Sequence, residues 1–529
     1  MRFLTILLFS LLITGCAKRG FITGGLKDTL SPILKQSDPK NYSTNFDAKE
    51  IKLTFDEYVK LKDVNKQLIV SPFMKNAPII SPSTASKIIT IRIKDTLSPN
   101  TTYSLNFGQS IQDNNEGNPY QQFKYVFSTG SYIDSLTVIG KIKDAFDPKP
   151  DNFVSIQLYE YNEKFYDSII YKENPRYITN TLDSATNFKL ENLKAGKYIL
   201  VALKDNNNNY KFDPKRDKIG FFSEPITVPE NSFYEIELFQ EEIPFKALRA
   251  TQASGNKIII GHEGKPKNVA VKLFDGKSEI PTKITPIEGK DSLHVWFPTQ
   301  KVDSLKLDIK ANNFEKEFTV KLKSMKADTL AVGIQPVGNI LFRDTIAIKT
   351  STPLLKWDES KIELRNKDSV LVPFSTRNKP EKQLLQLIFN KEERESYNVL
   401  LLPNAVTDFF DKTNDTLKFK FNTRSFSDFG NLTLKINGAK SYPIIIHLTD
   451  AKGKTLAQSY ATNPTDPIVF DLLQPNQFTV RIIYDENKNG VWDTGNYLEK
   501  RQTEEVYYFP TPIDVRSNWD VEQTINLGG

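Results

Sequence analysis

Short runs in which apolar and polar residues alternate recur along most of this chain. "IKLTF" (51–55), "SKIITIRIK" (86–94), "TYSLNF" (102–107) and "FKYVFST" (123–129) change character at nearly every second position. A strand points successive side chains to opposite faces, so a period of two marks a half-buried strand. A helix would repeat its apolar face every ~3.6 residues. Turn-forming Asn, Asp, Gly and Pro separate the runs. The spacing predicts about seven or eight strands per hundred residues, the density of an antiparallel two-sheet sandwich.

One apolar run differs. Residues 3–13 are continuously apolar apart from Thr5 and Ser10, follow Arg2 and stop just before Cys16. A spanning helix needs about 20 apolar residues, so this run predicts a secretory leader. The residues Leu12-Ile13-Thr14-Gly15-Cys16 resemble the lipobox of bacterial lipoproteins. That resemblance implies cleavage before Cys16 and acylation of its thiol and new amine. Two or more acyl chains hold a protein firmly to a bilayer. The alternatives are a plain secretory peptide or a membrane-stub helix, with Cys16 incidental. Cys16 is the only cysteine, so the chain can form no intrachain disulfide. A lipidated Cys16 leaves no thiol at all, which excludes redox chemistry, thiolate catalysis and cysteine metal sites. In such lipoproteins Ala17 implies no retention in the inner membrane. In Bacteroidota an acidic cluster after the cysteine marks export to the cell surface, and Lys18 and Arg19 have the opposite sign. We therefore expect an outer-membrane lipoprotein on the periplasmic face, with palmitate among its acyl chains, and a tether running to residue 30.

Composition supports exported β-structure. Phe (35) and Tyr (21) are abundant, while Met and His number 3 each. The net charge of +6 is small against 70 basic and 64 acidic residues. The signs are interspersed, so no nucleic acid is expected as a partner.

The pattern also repeats. "DTIAIKT" (344–350) echoes "KEIKLTF" (49–55), "YNVLLL" (397–402) echoes "YSLNFG" (103–108), and 405–423 echoes 110–129, matching Asp113 with Asp408 and Phe127 with Phe421. These segments resemble the SbsA-type bacterial Ig-like family of surface proteins. A second unit follows each copy. "FKLENLKAGKYILVALKDNNNNYKFDP" (188–214) is matched by "FDLLQPNQFTVRIIYDENKNGVWDTG" (470–495), and "SLTVIGKIK" (135–143) by "GNLTLKING" (430–438). This unit resembles prealbumin-like or carboxypeptidase-regulatory-like β-sandwiches. The expected fold is all-β: a leader (1–15), a lipidated tether (16–30), an Ig-like domain (31–130), a prealbumin-like sandwich (131–244), a middle β-domain (245–330), a second Ig-like domain (331–425) and a second prealbumin-like sandwich (426–529). Strung in tandem, these predict a rod.

Two loops carry candidate metal chemistry. "DNNNNYKFD" offers Asp205, Asn207, Asn209 and Asp213, and "DENKNGVWD" offers Asp485, Asn487, Asn489 and Asp493. Oxygens at loop positions 1, 3, 5 and 9 can converge on calcium, which takes six to eight hard ligands. Gly490 sits where such a loop turns, but Tyr210 replaces it in the first copy, and position 12 is Arg216 or Asn496 rather than a carboxylate. The other reading is an Asx-rich turn whose side chains bond their own backbone. Structural calcium is thus a candidate cofactor, with low affinity expected.

Other chemistry is sparse. His262, His294 and His447 are far apart in sequence, and no GxSxG, P-loop, GxGxxG or HExxH occurs. Adjacent carboxylates such as Asp56-Glu57 are not thereby placed across a substrate. "DFFD" (408–411) and "VYYFPTP" (506–512) are expected to pack under a neighbouring domain or dock a partner. The sequence predicts no enzyme. It points to a lipid-anchored scaffold of the outer membrane, docking onto an outer-membrane protein complex, with β-barrel assembly or export machinery as a candidate. The alternative is a carbohydrate- or peptidoglycan-binding surface lipoprotein, which would display Trp296, Trp357, Trp492 or Trp519 on an open face.

Overall fold

The computed structural model describes residues 28–181, 186–230, 233–276, 278–312 and 314–527. Cys16 and the leader lie outside the described residues. Strands dominate, and the α-helices are single turns such as Val64–Gln67 and Ile169–Lys172. The strands form five two-layered sandwiches, over 34–128, 136–238, 246–321, 332–423 and 430–526.

The first sandwich sets out the logic. Its outer strands run Leu34–Asp38, Glu50–Leu61, Ser86–Arg92 and Ile79–Ser81 across one sheet. Ile69–Ser71, Thr102–Asn106 and Lys124–Ser128 form the facing sheet. Ile51, Leu53 and Phe55 point inward and are buried, while Lys52 between them is exposed. They meet Leu105, Phe107, Tyr125 and Phe127 from the other layer. Each such side chain contributes about 1.5–3 kcal/mol on burial, so one register, with every inward position filled, is strongly preferred.

The fourth sandwich repeats this plan. Leu34–Asp38, Glu50–Leu61, Ser86–Arg92 and Ile79–Ser81 correspond to Val332–Gln335, Ile346–Thr350, Leu384–Ile388 and Ser375–Lys379, in the same sheet order. The residues matched in sequence do matched work. Asp113 is buried and accepts from the backbone N–H of Glu116, Gly117 and Asn118. Asp408 is buried and accepts from the N–H of Phe410 and Lys412 and from the Thr352 hydroxyl. Burial pushes the Asp113 carboxyl up, but the N–H donors outweigh burial and hold it below the ordinary carboxylate value. Phe127 stacks on Tyr103 at 5.4 Å, and Phe421 on Tyr397 at 5.5 Å.

The second and fifth sandwiches share a different plan. In each, the first strand (Leu136–Asp144 or Gly430–Asn437) pairs antiparallel with one neighbour and parallel with the last strand of its unit. The opposing sheets keep the same order, led by Tyr177–Asn180, Ser155–Glu160 and Gly196–Lys204 in one and by Thr455–Ala461, Ile444–Thr449 and Asn476–Tyr484 in the other. The middle sandwich has two four-stranded sheets around Ile258, Ile260, Leu273, Val295, Leu305 and Leu307.

Candidate functional site at the sandwich junctions

The strands of the second and fifth sandwiches break the alternation rule. Ser155–Glu160, Gly196–Lys204 and Asn476–Tyr484 carry long unbroken stretches of buried residues, and Ile444–Thr449 is buried at every position but His447. A strand buried on both faces needs a second partner layer. In the second sandwich Leu158, Leu200 and Ala202 face its own core. Tyr159, Ile199, Val201 and Leu203 face outward, into a second cluster with Phe212, Phe221 and Phe239. Tyr497, fully buried, enters that cluster from the fifth sandwich.

The contact is dense and chemically mixed. The Tyr497 ring meets Phe221 edge-on at 5.1 Å, and its N–H donates to Glu241 Oε1 at 2.6 Å. Thr494 Oγ1 donates to the Gln240 carbonyl, and Gln502 Nε2 to the Phe221 carbonyl. Lys500 pairs with Asp167 at 2.8 Å. Trp492 packs on Phe146 at 4.7 Å. A Cβ on Gly495 would stand 2.5 Å from the Phe239 ring, so this close approach requires glycine.

Arg481 lies at the centre. It is buried, and its guanidinium lies 3.9 Å from the Phe146 ring centroid of the second sandwich. Nη2 donates to His447 Nδ1 (2.9 Å) and Thr455 Oγ1 (3.0 Å), and Nη1 to the Tyr508 hydroxyl (3.1 Å). The Tyr508 hydroxyl in turn donates to the Phe146 carbonyl. No ion pair to Arg481 occurs within 4.0 Å among the described residues. Its charge is met by hydrogen bonds and a ring face, which a delocalised guanidinium accepts more readily than an ammonium would. Burial, then the nearby Arg481, pushes His447 down to about 4, so its ring is neutral and accepts. His294 is likewise pushed down to about 4, by burial and then Lys257. His262 is buried with Nδ1 3.0 Å from the Gly264 carbonyl. The three histidines thus sit in three different strands. Among the described residues no group of three or more His, Cys, Asp or Glu could hold a metal ion.

The two Asx-rich loops adjoin this junction. Asp485 accepts from the N–H of Asn489 and Gly490 and from the Tyr460 hydroxyl. Asn487 and Asn489 both donate their amides to Asp493 Oδ2 at 2.6 Å. In the first loop Asp205 accepts from the N–H of Asn207 and Tyr210, Asn209 from that of Lys211, and Asp213 from that of Lys215. Asn207 Oδ1 accepts from Arg216, so a guanidinium of the chain itself approaches a position offered as a calcium ligand. These are Asx turns bonded to their own backbone. Their output is aromatic: Phe212 and Trp492 reach the junction from them.

Two carboxylates under the loops escape sequence reasoning. Asp217 is fully buried and accepts from the N–H of Asn206 and Asp213. Glu504 is buried and accepts from the N–H of Glu486 and Asp493. Burial raises both above the ordinary carboxylate value, and Glu241 with them. Each lies beyond its loop's ligand spacing, so only three-dimensional closure brings it in. A signal was present for the junction itself: "YILVAL" (198–203) and "IIIHL" (444–448) are too apolar for strands with one wet face.

The other sandwiches also touch. Phe73 meets Tyr210 at 5.7 Å between the first and second, and Lys215 pairs with Glu263 at 2.8 Å between the second and middle. Phe410 of "DFFD" faces Trp296 at 6.4 Å between the middle and fourth. Phe342 meets Phe429 at 5.3 Å between the fourth and fifth. Phe410 of one aromatic cluster and Tyr508 of the other thus touch a neighbouring sandwich, while Tyr507 and Phe509 pack on the core of their own. Of the tryptophans, Trp296 is buried, Trp357 donates to Thr376, Trp492 fills the junction, and Trp519, exposed, lies 5.1 Å from the Arg516 guanidinium.

Residues 28–129 match the family model of a bacterial Ig-like domain. The protein carries a bacterial Ig-like domain. No curated protein matches the chain. Among solved structures, the S-layer protein rSbsC(31-844) aligns at 12% identity over 92% of this chain and 67% of its own, with a TM-score of 0.16. The eight N-terminal Ig domains of Down Syndrome Cell Adhesion Molecule align at 10% over 90% and 67%, with a TM-score of 0.15. Titin domains A168-A170 align at 11% over 53% and 98%, also at 0.15. Scores this low carry no argument about function. The Ig-like sandwich is itself a non-catalytic fold, consistent with a protein that is not an enzyme.

Proposed function

We propose that this protein is a non-catalytic scaffold of the bacterial outer membrane, anchored by acylated Cys16 on the periplasmic face and docked onto an outer-membrane protein complex. The source is a Bacteroidota-type bacterium, and β-barrel assembly or export machinery is the candidate complex. One observation carries the reading: the second and fifth sandwiches are clasped through Arg481, Phe146 and Tyr497. A chain that clasps its fifth unit onto its second forms a preformed frame, and loops and strand edges on a rigid frame suit protein docking. The lipobox-like run before Cys16 supports the anchor.

The test is affinity purification of the tagged, acylated protein from membranes in mild detergent, followed by mass spectrometry. A stoichiometric outer-membrane barrel partner supports the scaffold. Recovery of monomer alone overturns it and favours glycan binding. That alternative draws little from the tryptophans, since the exposed Trp519 has the Arg516 guanidinium against its ring.

A further inference from the structure

Four exposed apolar side chains gather at one end of the first sandwich: Leu30 (73% exposed), Ile33 (56%), Tyr58 (58%) and Ile88 (44%). Backbone pairing brings them together. Ile33 and Asp56 exchange hydrogen bonds, the N–H of Ile33 to Asp56 Oδ1 and the N–H of Asp56 to the Ile33 carbonyl. Ile88 stands opposite Thr54 in the adjoining strand pair. Lys87 donates to the Asp56 carbonyl and lies 5.6 Å from the Tyr58 ring centroid. The Asn118 side-chain amide donates to the Leu30 carbonyl, and the N–H of Asn114 donates to the Tyr58 carbonyl. Lys60 and Lys87 and the carboxylates of Asp28, Asp56, Glu57 and Glu116 share this end, so it carries both signs with carboxylates in excess.

The position of the patch along the chain says what covers it. Eleven residues lie between Cys16 and Asp28, and a fully extended chain over that stretch spans at most about 40 Å. The tether joins the first sandwich at Leu30, inside the patch itself. No other part of the described chain is as close in sequence to the anchor. Aliphatic and tyrosine side chains beside lysine, a residue that can keep its ammonium in water while its stem covers apolar surface, suit the headgroup layer of a bilayer.

We propose that this end of the first sandwich rests on the membrane that holds the anchor, with Leu30, Ile33, Tyr58 and Ile88 entering the headgroup region. The proposal rests on acylation of Cys16. The excess of carboxylates over lysines at the patch implies contact with zwitterionic rather than anionic lipid.

The test uses the acylated full chain in phosphatidylcholine vesicles. Since Cys16 is the only cysteine and acylation blocks it, Tyr58→Cys, Ile88→Cys and Val337→Cys each provide one site for a polarity-sensitive fluorophore. Val337, exposed in the fourth sandwich, is the reference. Labels at 58 and 88 are expected to shift to the blue and to be quenched several-fold more by lipid-borne quenchers than the label at 337. Vesicle flotation with all three labels equally water-exposed overturns the proposal while leaving the anchor intact. Failure to float removes the anchor and this surface together. Shielding in native membranes but not in pure lipid assigns the patch to a protein partner and overturns the lipid contact.

Discussion

Arg481 is a charged side chain held between two sandwiches, and its partners define what its loss would do. Truncation in Arg481→Ala removes the face contact with Phe146 and leaves His447 Nδ1 and the Tyr508 hydroxyl short of a donor. Unsatisfied buried polar groups cost about 1–3 kcal/mol, so Arg481→Ala is expected to lower unfolding free energy by about 2–4 kcal/mol in urea titration. Phe146→Ala combined with it should show a coupling of about 1 kcal/mol, which independent sites would lack. The neutral histidines give a pH dependence of definite sign. His447 and His294 are held near 4 in the folded chain, below the ordinary 6.5. The unfolded chain therefore binds protons the folded chain does not, and their stabilisation is complete above pH 6.5 and lost as pH falls towards 4. Asp217, Glu241 and Glu504 act oppositely: their raised values make the folded chain the better proton acceptor, so their contribution is lost as pH rises through those raised values. As pH falls from 7.5 to 5 the histidine contribution lowers the melting temperature while the carboxylate contribution opposes it, so the histidine part is read from the difference between the parent chain and a histidine variant. In His447→Gln, whose amide oxygen still accepts from Arg481, acidification should lower the melting temperature less than in the parent; an unchanged slope would remove His447 as a source.

At the scale of elements, the loops at 205–213 and 485–493 act as brackets for aromatic residues. Asp485→Ala frees two N–H groups and the Tyr460 hydroxyl, and a loss of about 2–3 kcal/mol is expected. Because the loop oxygens are already bonded within the chain, melting curves in millimolar calcium and in chelator are expected to superimpose; an upward shift with calcium that Asp485→Ala abolishes would assign the loop an ion. Most elements were legible because alternation writes strands directly into sequence. The Asp113–Asp408 and Phe127–Phe421 matches were legible because equivalent packing demands equivalent residues. Asp217 and Glu504 were not, since a carboxylate that caps a loop from below follows no ligand spacing. The continuous runs around Leu200 and Ile445 were present but ambiguous: an unbroken apolar strand states that both faces are covered, not by what.

At the scale of the molecule, tandem order suggested a rod, in which each sandwich touches only its sequence neighbours. The contact between the second and fifth sandwiches departs from that, because it joins residues such as Phe221 and Tyr497 far apart in the chain. Nothing in a strand pattern encodes a partner so distant; the longer 485–505 segment, with Tyr497 at its tip, is the physical cause. Tyr497 is fully buried against Phe221 and Tyr171, so a carboxylate there would face an apolar cluster it cannot enter ionised. Tyr497→Asp should therefore release the clasp while each sandwich keeps its own core. The readout is small-angle scattering with far-ultraviolet circular dichroism on the same sample. A larger radius of gyration with unchanged β-signal is the expected result. An unchanged radius would mean that Arg481 and its hydrogen bonds hold the junction alone, and then only Tyr497→Asp combined with Arg481→Ala should open it.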